Sequence, residues 1–281
     1  MSFVDDPDTK LLVLIVLAAG LAGTLWYFRD ALFPAADEPA VMRPEPVVAD
    51  VPAQKGPIHP LTPLRSPASF DGELVALPPL DDSDSYFLLA LIDSFGPAVG
   101  RVLVDEALVD KFVATVDNLT RSHVAEKIRP VGRLPEAFRV DAAGNNGQFY
   151  LSLDNYERYD LLVKLVARAD LEVVAATYRR FYPLFQESYV RLGYPNGYFN
   201  DRVVEVIDHL LLTPAPDEPI RLARPHVLFE FADAELEALS SGQKLLIRMG
   251  GEHAARIKQV LRGLRTLITK SPESESIDPQ P

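Results

Sequence analysis

Four residues in one apolar stretch, Asp201, Glu205, Asp208 and His209, stand at i, i+4, i+7 and i+8, which places them on one face of a helix. A face of carboxylates and an imidazole can ligate a metal, as in bundles built on a Glu-x-x-His arrangement. The spacing here departs from that arrangement and no second copy occurs. The group therefore reads as an internal salt-bridge and capping network, and no metal or cofactor is expected. Ser241-Gly242-Gln243-Lys244 matches S-x-x-K, in which a serine nucleophile sits one helical turn from a lysine base. The companion S-D-N and K-T-G elements are missing, so Ser241 reads as an ordinary helix cap.

Aromatic residues form the densest cluster. Eight of the ten tyrosines fall between positions 150 and 198, and Tyr178, Phe181, Tyr182, Phe185 and Tyr189 recur three or four apart as one helical stripe. Such a stripe stacks sugars or peptides in a groove, or it is core with each hydroxyl bonded to a partner; core is the preferred reading. Downstream, Tyr194-Pro195-Asn196-Gly197-Tyr198 has turn chemistry, and one of its tyrosines is expected to face outward. Tyr182, Tyr194, Asn196, Tyr198, Asn200 and Arg202 are the candidate interaction surface. No residue is assigned as catalytic. A runner-up reading makes the chain a hydrolase of glycan or peptide, with Glu157, Glu187 or Asp201 as acid and base.

The elements that must position these residues are mostly helices. Asp82 to Asp84 offer caps for a helix over 86–95, and Asp105 for one over 106–119. A turn at 141–148 separates extended pieces at 138–140 and 149–151. Ser152 caps a helix to about Arg168, and Asp170 caps the next, which runs to Leu192 with Pro183 kinking or restarting it near Tyr182. Asn200 opens a helix through Leu212. Extended pieces follow at 220–222 and 227–231, then a short acidic helix at 233–239. Helices at 241–249 and 252–268, parted by Gly250-Gly251, close the domain. From Lys244 to Lys270 there are seven basic residues and one acid, a basic stripe read as packing on the core and pairing with its carboxylates.

Over the whole chain, 281 residues with 48% apolar content leave room for one good-sized domain. A net charge of −12 argues against nucleic acid as a partner. Absent cysteine excludes disulfides, thiolate metal sites and a cysteine nucleophile. The apolar run at 11–28, about 18 residues without a charge, covers most of a ~30 Å hydrocarbon core as a helix. It reads as a single-pass transmembrane helix, in preference to a cleaved signal peptide, because its leader is acidic and its exit is bulky. Residues 1–10 are then a cytoplasmic tail. Positions 29–79, with eleven prolines from Pro34 onward, read as a disordered proline-rich linker. A mainly α domain with a few short strands occupies 80–270, and 271–281 is a disordered tail. The expected location is the bacterial inner membrane with the domain in the periplasm.

Several motifs carry a family resemblance: Thr115 to Leu119 (TVDNL), Asn155 to Asp160 (NYERYD), Tyr182 to Gln186 (YPLFQ), Leu192 to Arg202 (LGYPNGYFNDR), Val206 to Leu211 (VIDHLL) and Gly242 to Gly250 (GQKLLIRMG). Together they resemble a proteobacterial family known only as domain of unknown function 3014, over nearly all of 80–267. The resemblance implies an envelope protein with an amino-terminal anchor and a variable linker, and it brings no activity and no catalytic residue. The combined expectation is a membrane-anchored periplasmic binding or scaffolding module. Its partner would be another envelope protein or cell-wall material.

Overall fold

A computed structural model describes residues 56–61, 76–132, 137–143 and 148–270. All lie in one structural unit, Gln54–Pro281; the other, Met1–Ala53, contains none of them. The expected mainly helical domain is present, with a small antiparallel sheet. The expected membrane span is not supported: among the described residues no helix is long and apolar enough to cross a membrane, and 11–28 lies outside them. The two longest described helices show why. Leu171–Arg191 carries Glu172, Arg179, Arg180, Glu187 and Arg191, and Gly251–Thr269 carries Arg256, Lys258, Arg262 and Arg265. Charges at that density exclude a helix from hydrocarbon. The expected single-pass inner-membrane location is likewise not supported. The expected tails at 1–10 and 271–281 also lie outside the described residues.

In chain order the helices are α1 (Asp84–Phe95), α2 (Leu108–Asn118), α3 (Asp154–Glu157), α4 (Asp160–Arg168), α5 (Leu171–Arg191), α6 (Phe199–Leu211), α7 (Ala234–Glu237), α8 (Ser241–Arg248) and α9 (Gly251–Thr269). The strands are β1 (Val140–Ala143), β2 (Gln148–Leu151), β3 (Arg221–Ala223) and β4 (Glu230–Phe231), joined in that order as an antiparallel sheet. Three-residue and five-residue 3-10 turns occupy Leu80–Asp82, Glu126–Ile128 and Pro97–Arg101.

Helix α5 is the axis of the domain. The Asp170 carboxylate caps it by accepting from the Glu172 and Val173 amides. Its buried face presents Tyr178, Phe181, Leu184, Phe185 and Tyr189 to α1, α2 and α6, forming the largest core cluster with Phe87, Val113, Phe199 and Ile207. The helix runs on through exposed Pro183 without the expected restart. Proline removes one backbone bond there, while Phe181, Leu184 and Phe185 on either side are buried and hold the axis in place. Leu151, Ile220, Leu222, Phe231 and Ile247 form a smaller core between the sheet and α8.

Helix ends are satisfied by distant partners. The α2 N-terminus follows Ala107, which has a left-handed φ of 50°, and its cap is not the expected Asp105. The carboxylate of Asp84, in α1, accepts from the Ala107 amide at 2.6 Å and the Leu108 amide at 2.7 Å. At the other end of α2, the Leu119 and Arg121 carbonyls accept from the Gly242 amide (2.9 Å) and the Ser241 amide (2.7 Å), the first free donors of α8. The carboxyl end of α2 thus abuts the amino end of α8, an alignment that macrodipoles favour.

The single helix expected from Ser152 to Arg168 is divided. The Tyr159 amide bonds to Tyr156 three residues back, tightening the turn so that the Tyr159 ring enters a second core cluster with Val163, Val206, Leu246 and Met249. The neighbouring Tyr156 ring lies over Gly250. A Cβ on Gly250 would lie 2.7 Å from a ring carbon of Tyr156, and its φ of +85° is the left-handed region that glycine tolerates best. Gly250→Ala should cost about 1–3 kcal/mol. Thermal melting of the purified variant checks this; an unchanged midpoint would mean that the Tyr156 ring swings aside at no cost.

Candidate functional site

The six candidate surface residues gather where the C-terminal half of α5, the turn after it and the start of α6 meet. The Gly197 amide bonds to the Tyr194 carbonyl at 3.1 Å, closing the expected turn. The Gln186 side chain fixes this turn to the two helices. Its oxygen accepts from the Phe199 amide (2.9 Å) and the Tyr182 hydroxyl (3.1 Å), and its nitrogen donates to the Gly197 carbonyl (2.7 Å). Gln186 therefore supplies the cap that α6 lacks locally, since no side chain at Tyr198 fills that role.

Neither turn tyrosine faces outward as expected; Tyr194 and Tyr198 are both half-buried. Tyr194 stacks on Tyr189 with centroids 4.5 Å apart and planes at 17°. The Tyr194 hydroxyl donates to Asp117 at 3.2 Å and accepts from Arg121 at 2.9 Å. Asn196 is exposed, Tyr182 is half-buried, and Asn200 is fully buried. Arg202 reaches inward, with its side chain 15% exposed, to Asp117, which is 4% exposed. Its Nε donates to the Asp117 carboxylate at 2.9 Å, and its Nη2 donates to the Asp117 carbonyl (2.6 Å) and to Thr120 (2.7 Å). Its remaining nitrogen pairs with Glu205 at 2.8 Å. Burial works against the Arg202 charge, but Glu205 and Asp117 outweigh it and the net pKa direction is upward.

The hydroxyls of Tyr178 and Tyr182 serve as hydrogen-bond donors. Burial pushes the Tyr178 hydroxyl well above its ordinary value, and it donates to Asn200 Oδ1 at 3.1 Å. Burial, helped by the Asp117 charge, pushes Tyr189 up to about 12. Burial also raises Tyr182. All three stay protonated at neutral pH. The partners of Tyr178 and Tyr182 are the side-chain amides of Asn200 and Gln186.

The face at i, i+4, i+7 and i+8 disperses to four separate partners. Asp208 pairs with Arg265 through contacts of 2.6 and 2.9 Å, Glu205 with Arg202, and His209 Nε2 lies 2.9 Å from the Ser240 hydroxyl. No group of three or more ligating side chains that could hold a metal occurs among the described residues. The S-x-x-K pair is also divided. The Ser241 hydroxyl donates to the Asn118 and Leu119 carbonyls, and the Lys244 ammonium pairs with Glu237 at 2.7 Å. The cap of α8 is Ser240, one residue before the expected Ser241, in a capping box with Gln243.

Asp201 has the most informative surroundings. Its Oδ2 accepts from the Ile58 amide at 2.9 Å and its Oδ1 from the His59 amide at 2.7 Å. Beside it, the Asn200 Nδ2 donates to the His59 carbonyl at 2.9 Å and to the Ile268 carbonyl at 3.2 Å. Residues 56–61, within the stretch expected to be a disordered linker, thus bend over the start of α6 and are held there by main-chain groups. The Ile58 side chain is 79% exposed, whereas Leu61 packs against the largest core cluster. Of the carboxylates weighed for hydrolysis, Asp201 has both oxygens spent on this segment, Glu187 pairs with Arg191 at 2.7 Å, and Glu157 is exposed on α3. A hollow lined by Asp81, Asp82, Asp84, Ser85, Leu88 and Asp105 contains none of the three.

Asp117 and Gln186 were not among the candidate residues, although both stand in the quoted TVDNL and YPLFQ motifs. Nothing in local sequence links them to positions 202 and 199, their partners across the fold. No curated protein and no solved structure gives a significant match to the chain. A family model does match, over residues 108–265, which hold α2 to α8 and most of α9. On that match the chain belongs to the family described as protein of unknown function (DUF3014).

Proposed function

We propose that the domain is a non-enzymatic binding or scaffolding module that holds polypeptide on the surface at the start of α6. One observation carries this reading: Asn200 and Asp201 grip residues 56–61 through main-chain amides and a carbonyl, with the Ile58 side chain left outside. A site that engages backbone groups suits polypeptide as a class, because main-chain groups are common to every sequence. The protonated tyrosines and the dispersed carboxylates favour recognition over chemistry.

The test uses the full chain with 56–61 replaced by a Gly-Ser repeat, so that the clamp is vacated. A fluorescent peptide of residues 54–63 should then bind in trans with micromolar affinity by anisotropy. Asp201→Ala in the same background should weaken binding by about tenfold or more, since two hydrogen bonds to a charged acceptor are lost. Absence of peptide binding to the vacated chain, with melting showing it folded, overturns the reading.

A further inference from the structure

The held segment has a particular grammar. It reads Gly56-Pro57-Ile58-His59-Pro60-Leu61. Proline has no N–H, so Ile58 and His59 are the only main-chain donors between Pro57 and Pro60, and Asp201 takes both. The carbonyl preceding Pro60 is the one Asn200 binds. The residue after Pro60, Leu61, supplies the apolar anchor. Prolines on both sides restrict the free chain, so less conformational entropy is lost on docking.

Building on that reading, we infer that the Asn200–Asp201 clamp selects a partner bearing Pro-x-x-Pro followed by a large apolar residue, with neither x acidic, and that residues 56–61 are its built-in competitor. The exclusion of acids follows from the anionic acceptor at the centre of the site: a carboxylate on either clamped residue would belong to a residue whose own amide Asp201 binds, and like charges repel. The chain contains an internal counter-example, Pro216-Asp217-Glu218-Pro219, which has the spacing but the wrong charge. Competition follows from tethering. A segment joined by a short linker meets its site at an effective concentration on the order of millimolar, which a free partner must overcome.

Five peptides and two proteins test this. In the vacated full chain, the 54–63 peptide should bind at least tenfold tighter than in the native chain. Against the vacated chain, N-methylation of the His59 amide and Leu61→Asp should each weaken the peptide by about tenfold or more. Replacing Ile58-His59 by Asp-Glu should weaken it several-fold, less so at high salt. Ile58→Ala should change affinity less than twofold. Binding that tolerates N-methylation, or an Asp-Glu peptide as tight as the parent, overturns the selectivity while leaving polypeptide binding intact. Equal affinity of native and vacated chains overturns the built-in competition. Failure of every peptide, the parent included, falls on the proposed function instead.

Discussion

Arg202→Met should destabilise the domain by about 3 kcal/mol, because it strands a buried carboxylate. Asp117 is 4% exposed and takes Arg202 Nε at 2.9 Å, with the same guanidinium also holding its carbonyl and Thr120. What remains is Arg121, whose side chain is 54% exposed, and the Tyr194 hydroxyl. A surface cation does not replace a buried one, since water already satisfies most of its charge. Arg121→Met should accordingly cost about 1 kcal/mol or less. Thermal denaturation separates the two: at this domain size, about 3 kcal/mol corresponds to roughly 6–12 °C. Asp117→Leu in the Arg202→Met background should recover much of the loss, as replacing both members of a buried pair often does. Equal small effects for Arg202 and Arg121 would show that Asp117 is not the desolvated centre of this network.

Phe185→Ala should cost about 3–5 kcal/mol. The ring is 1% exposed and contacts five others: Phe87 at 5.3 Å, Phe112 at 5.1 Å, Tyr178 at 5.5 Å, Phe199 at 5.9 Å and Phe181 at 6.5 Å. These rings come from α1, α2, α5 and α6, so they cannot all collapse into the void, and a cavity left unfilled adds to the lost burial. Denaturant titration checks the value. A cost under about 1.5 kcal/mol would mean that the cluster repacks as freely as a volume-conserving exchange.

Burial was legible for the second prediction, while Arg202 read as part of an interaction surface. The spacing of Tyr178, Phe181, Phe185 and Tyr189 marked them as one face, and period alone is enough for that. The cap at Asp170 was legible for the same reason, since the groups involved lie within three residues. Asp105 failed as a cap because Asp84, far off in sequence, reaches the same amides first. Asn200 read as a helix cap from its type and position, yet Gln186 fills that role and frees the Asn200 amide for His59 and Ile268. Ser152 did not announce the break at Tyr159, which is set by where that ring must go in the core. In each case local rules were outweighed by a tertiary partner. The tyrosine turn shows the same limit: its backbone chemistry is local and correct, while stacking on Tyr189 decides which way Tyr194 points.

The end-to-end meeting of α2 and α8 has a consequence for how the domain comes apart. Neither helix has its terminal groups satisfied until the chain between positions 121 and 241 is in place, because the Leu119 and Arg121 carbonyls and the Ser241 and Gly242 amides complete one another. Fraying, the usual low-energy escape at a helix end, is therefore closed to both at this junction. The two should open as a single cooperative unit. In native-state hydrogen exchange the Ser241 and Gly242 amides should then exchange with the slow interior of α2, not with the fast amides typical of a first turn.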